Sequence, residues 1–162
     1  MLSDRHRRSI KDRGASLSGR FLISAAALAI WNLFVWGGRL RNLVAEPGPV
    51  GDANRWSLVG SVGFIALAVA TLGAGFALQR AARGARPGPV AGLVTGLASV
   101  MAGVGIVVWS YRAVVIAVRD YSLGFIVVHS VLAVTTIALG LAVLGSLRPR
   151  SGGSLSTAGE GR

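Results

Sequence analysis

Few residues in this 162-residue chain could do chemistry, and the missing types are as telling as those present. The four long apolar runs hold no Asp, Glu, Lys or Arg deep inside them. Proton-coupled pumps and small multidrug exporters work by titrating a charge within the membrane, so this chain lacks their coupling device. Among the neutral polar residues that the runs do hold, the candidates are Asn32, His129 and Thr136. Asn32 lies seven residues inside Arg39, about 10 Å at helical rise, and His129 lies nine residues past Asp120, about 13 Å in. At similar depth the two could hydrogen-bond, which would offset the cost of burying each alone. Such a bond is worth about 0.6–2 kcal/mol between membrane helices. The sharper alternative makes His129 a proton, metal or haem site. A lone intramembrane His supplies one axial ligand, and the chain has no cysteine to supply another, so no cofactor is expected.

Catalytic patterns are missing in the same way. There is no paired carboxylate, HExxH, Gly-x-Ser-x-Gly or CxxC. The glycines fall in stripes within apolar runs rather than in a strand-to-helix phosphate loop. The chain is therefore not expected to be an enzyme.

These few polar groups must be positioned by helices in a bilayer. Crossing about 30 Å of hydrocarbon takes about 20 residues of helix, and four blocks qualify: 21–38, 56–78, 90–111 and 124–147. The expected fold class is an all-α membrane protein of four transmembrane helices, with the marks of a duplicated helical hairpin. The four-helix domain covers 21–147. Residues 1–20 carry six bases, two acids and little apolar surface, which predicts a disordered basic tail. Residues 148–162 are rich in Gly and Ser and predict a flexible tail. The first run resembles a signal peptide in outline, but it is long and Leu43-Val44-Ala45 lacks a small residue at the −3 position, so it reads as a retained anchor.

A net charge of +11 would suggest nucleic acid in a soluble chain. Here every base lies in a tail or loop and no RNP, helix-turn-helix or zinc-finger pattern accompanies them, so the expected partner is the lipid bilayer and not nucleic acid. Tails and the 80–89 loop hold twelve bases against five in the other two loops. The positive-inside rule then places both termini in the cytoplasm.

A shift of 73 residues lays Trp36-x-x-Arg39 on Trp109-x-x-Arg112. With the second loop taken as six residues shorter, Ala66/Ala133, Leu72/Leu139 and Gly73/Gly140 align. Such a repeat is parallel, not the inverted kind on which many alternating-access transporters are built. Both Trp-x-x-Arg elements end an outgoing helix, where Trp favours the interface and Arg snorkels to phosphate, so Trp36, Arg39, Trp109 and Arg112 are expected to be interface anchors.

Lipid gives helices no hydrophobic reason to associate, so small residues mark contact faces. The expected faces are Gly92, Gly96, Ser99 and Gly103 in the third run; Gly63, Ala66, Ala70, Gly73 and Ala77 in the second; His129, Ala133, Thr136 and Gly140 in the fourth; and Ala25, Ala29, Asn32 and Trp36 in the first. These faces exceed what one small bundle needs. They point to an accessory or scaffold subunit packing against a larger membrane protein or a second copy. The alternative is a small channel or transporter for a neutral or weakly charged solute, with Asn32, His129 and Thr136 lining its cavity. A pore requires polar stripes to meet on one axis, whereas a scaffold turns small-residue faces outward.

The pattern FL…W…W…R…NL over Phe21–Leu43, followed by F-x-V-V-H-S-x-L-A-V-T-x-x-x-L-G-x-A-V from Phe125, resembles a group of small actinobacterial integral membrane proteins of unknown function. The resemblance rests on Trp31, Asn42 and His129 above all and covers about a quarter of the chain. It implies a hairpin with an aromatic-rich first span and a V-H-x-x-L-A second span, a bacterial cell membrane, and no particular activity.

Overall fold

Each apolar run becomes one helix: α1 (Gly19–Ala45), α2 (Asp52–Ala81), α3 (Gly88–Ala117) and α4 (Leu123–Ser146). The computed structural model describes residues 17–45, 52–82 and 88–148. Most of the two tails, the Pro47–Pro49 turn and Arg86-Pro87 lie outside the described residues.

The helices outrun the apolar blocks. α1 continues past Gly38 through Arg39 and Arg41 to Ala45, because charge ends a hydrophobic stretch without ending a helix, and Arg and Leu are good helix formers. Its start is capped by the Ser18 hydroxyl, which accepts from Phe21 N at 3.2 Å. Ser122 caps α4 in the same way, accepting from Phe125 N at 3.4 Å. Pro89 sits in the first turn of α3, where a missing N–H costs nothing.

The four helices are each long and apolar enough to cross a membrane, and large apolar side chains such as Ile23, Phe34, Val69, Phe76, Val107 and Val134 cover the outside. The protein is therefore a multi-pass integral membrane protein. α1 packs on α2 and α4, and α3 packs on the same two helices, so α1 faces α3 across a diagonal. Phe21, Leu28, Ala68, Ala98, Met101 and Val143 fill the middle. The start of α1 and the end of α4 lie together, sharing a cleft between Arg20 and Ser146.

The buried positions repeat. In α1 they are Phe21, Ala25, Leu28, Ala29, Asn32 and Trp36. A shift of 73 carries these onto Val94, Ala98, Met101, Ala102, Gly105 and Trp109, all buried in α3. For the second helices the expected register is corrected. Ala66 and Gly73 face outward while Ala133 and Gly140 face inward, since an offset of two residues rotates a helix face by about 200°. The register that matches burial is a shift of 65, pairing Ala68 with Ala133, Thr71 with Thr136 and Leu78 with Val143. The second hairpin loop is thus eight residues shorter, not six. Equivalent helices stand diagonally opposite, as a two-fold axis along the bundle would place them.

Candidate functional site

The two Trp-x-x-Arg elements meet at one end of the bundle, hereafter the tryptophan end. The tryptophans do not face lipid. Trp36 is 5% exposed and Trp109 2%, which corrects their reading as interface anchors. Each lies one or two turns along the same stripe as the buried alanines of its helix, so packing claims the ring. The outward aromatic positions at this end belong to Trp56 and Tyr111, which are 74% and 70% exposed.

The halves treat their tryptophans differently. Trp36 stacks on Phe64 at 4.5 Å between centroids, nearly parallel. Its Nε1 donates to Asn32 Oδ1 at 3.1 Å, while Asn32 Nδ2 donates to the Leu28 carbonyl at 2.9 Å. Trp109 Nε1 is buried with no acceptor among the described residues. The repeat supplies the reason: the position equivalent to Asn32 is Gly105, which has no side chain to offer.

The arginines diverge as well. Arg39 Nε donates to Ser57 Oγ at 2.8 Å, tying α1 to α2. The equivalent of Ser57 is Ser122, whose hydroxyl is occupied capping α4. Arg112 instead lies 5.8 Å from the Trp109 ring centroid, a cation–π distance.

Asn32 and His129 do not bond each other, contrary to the sequence expectation. Each closes locally: Asn32 through Leu28 and Trp36, and His129 through Nδ1 at 2.9 Å from the Phe125 carbonyl. A carbonyl only accepts, so Nδ1 is the donor in this bond. The His129 ring also stacks on Phe125 at 3.8 Å. Besides the Arg39–Ser57 bond, a polar bond between helices runs from Trp31 Nε1 to Thr136 Oγ1 at 2.9 Å, with Thr136 donating on to the Leu132 carbonyl at 2.8 Å. Trp31 is the residue sequence reasoning missed here. Its position beside Asn32 on the helix is the signal that could have found it.

A cavity of about 520 Å³ opens between α1, α3 and α4, lined by Trp36, Arg39, Asn42, Trp109, Arg112 and His129 among others. Its repeat counterpart, about 650 Å³, shares Trp36, Arg39 and Arg112 but has Phe64 in place of His129 and Val115 in place of Asn42. Of the polar candidates, His129 reaches the first cavity, whereas Asn32 and Thr136 line neither. Toward the middle of the bundle, Leu28, Ala98, Met101 and Val143 are fully buried and fill the axis.

The glycines divide too. A Cβ on Gly140 would stand 3.0 Å from the Ile106 side chain and 3.3 Å from the Ala102 carbonyl, so this glycine permits close approach of α3 and α4. Gly73, Gly92, Gly96 and Gly103 meet nothing within 4 Å, which corrects their reading as packing positions within the bundle. On α2 the whole stripe Gly63, Ala66, Ala70, Gly73 and Ala77 is exposed. Among the described residues no three His, Cys, Asp or Glu side chains gather as a metal site would need. No protein-family model matches the chain, and neither a curated protein nor a solved structure does.

Proposed function

We propose that this protein is a non-enzymatic accessory or scaffold subunit of the bacterial inner membrane that packs against a larger membrane protein through the small-residue face of α2. One observation carries the reading. Gly63, Ala66, Ala70, Gly73 and Ala77 form a continuous stripe that faces away from the bundle. In lipid, helix association depends on close backbone approach, and small residues provide it. The basic-residue count supports an orientation with both tails in the cytoplasm. The test is affinity purification from native membranes in mild detergent. A stoichiometric membrane partner that is lost in Ala66→Leu/Ala70→Leu supports the proposal, and a lone monomer on blue-native electrophoresis contradicts it.

A second reading, a channel or transporter for a neutral or weakly charged solute, draws on the cavity that His129 lines. Against it stand the locally satisfied Asn32 and Thr136 and the filled axis. Liposome flux of glycerol that falls in His129→Ala would favour it; unchanged flux would dismiss His129 from any transport role.

A further inference from the structure

Trp109 is 2% exposed, and its indole N–H has no acceptor among the described residues. A buried donor left unmade costs about 1–3 kcal/mol, so such a group in a folded protein marks an absent partner. The other half of the molecule shows what that partner does: at the equivalent tryptophan, Asn32 accepts the bond. In the second half the asparagine is replaced by Gly105, and the serine equivalent to the acceptor of Arg39 is occupied at a helix cap. Of the two acceptors that the first half uses, Asn32 thus has no counterpart, and Ser122 accepts from its own helix start and not from Arg112 among the described residues.

The residues left over meet at one place. Arg39, Arg112 and Trp109 all line the 520 Å³ cavity, and no carboxylate among the described residues lines it with them. Arg39 spends its Nε on Ser57, and its terminal nitrogens have no hydrogen-bond partner among the described residues. Both guanidiniums line this one cavity, so an anion held there would face two positive charges. Guanidinium forks match phosphate oxygens in pairs. The volume lies within the range of small-ligand sites, about 300–1,000 Å³.

We propose that this cavity binds a phosphate oxyanion, held by Arg39 and Arg112 with the Trp109 indole N–H as a third donor. The phosphate comes either from a lipid headgroup or from a free phosphate ion. The counterpart cavity does not share the property, because there the tryptophan N–H is satisfied and Phe64 and Val115 replace polar side chains.

The test uses indole ¹H–¹⁵N spectra of the full-length protein in dodecyl maltoside micelles. The chain has four tryptophans, and Trp109→Phe assigns the peak of interest. The probes are inorganic phosphate and, separately, dihexanoylphosphatidylglycerol. The Trp109 peak is expected to move saturably with at least one of them. Movement with both identifies the phosphate group as sufficient, and movement with the lipid alone identifies the headgroup as the source. Arg39→Gln and Arg112→Gln should weaken the response at least tenfold. Arg119→Gln removes the same charge at the same end but outside this cavity, and should leave the response unchanged. Gly105→Asn, which restores the acceptor found in the first half, should move the peak before any probe is added and blunt the titration. A Trp109 peak unmoved by either probe, or a full-strength response in Arg112→Gln or Gly105→Asn, overturns the proposal.

Discussion

The two hairpins share a packing frame and differ in how they finish their polar ends. In the frame, Leu28 and Met101 exchange as do Phe21 and Val94, and each pair is equally buried. Volume and apolarity are enough there. At the tryptophan end the first hairpin closes its donors internally, Trp36 on Asn32 and Arg39 on Ser57. The second leaves Trp109 without an acceptor among the described residues and places Arg112 over its ring. A repeated bundle can thus keep one core while one half becomes self-sufficient and the other open.

The sharpest way to break this comparison is at the glycines. Gly140 and Gly75 occupy equivalent positions, but only Gly140 is closely approached, by Ile106 and the Ala102 carbonyl. Gly140→Leu should destabilise the bundle by about 1–3 kcal/mol or more through overpacking. Gly75→Leu, where a Cβ meets nothing within 4 Å, should cost less than Gly140→Leu. Unfolding of the purified protein in mixed micelles reads both. A smaller contrast lies in the tryptophans. Trp36→Phe gives up a buried hydrogen bond and strands Asn32 Oδ1, which should cost about 1–2 kcal/mol more than Trp109→Phe, where no bond within the protein is lost. Equal costs would remove the asymmetry between the halves. Smallest is the threonine pair. Thr136→Val deletes the acceptor of Trp31 and should cost about 0.6 kcal/mol, typical of a polar contact between membrane helices. Thr71→Val, whose hydroxyl bonds only its own helix at Leu67, should be nearly silent in the same assay.

Much of the fold was legible because charge is confined to tails, loops and helix ends, and four uncharged runs of spanning length leave one architecture. Which face of each helix turns inward was only half legible. For α1 and α4 the stripes through Ala25, Ala29 and Asn32 and through Ala133, Thr136 and Gly140 are the buried ones. For α2 the small stripe faces out, and Ser61, Phe64, Ala68, Thr71 and Leu78 face in. In water an apolar face would have settled the matter, but in lipid both faces of α2 are apolar enough to be outside. The register of the repeat failed for a related reason. Ala, Leu and Gly match by chance in membrane helices, whereas Ser57/Ser122 and Thr71/Thr136 are rarer coincidences and mark the register that burial supports. The tryptophans were ambiguous in kind, since a ring with one polar atom suits an interface and a core equally well. Their placement at one cavity with Arg39 and Arg112 depends on how helices pack and could not be read from spacing along the chain.

The inward face of α2 fixes both the repeat register and the outward stripe offered to a partner. The chain has no cysteine, so single-cysteine variants from position 64 to 71 can each carry a nitroxide without further changes. Oxygen accessibility, measured by electron paramagnetic resonance in micelles, is predicted to dip at Phe64, Ala68 and Thr71 and to peak at Ala66 and Ala70. A dip at Ala66 and Ala70 with a peak at Ala68 would place the small-residue face inside the bundle and contradict the account.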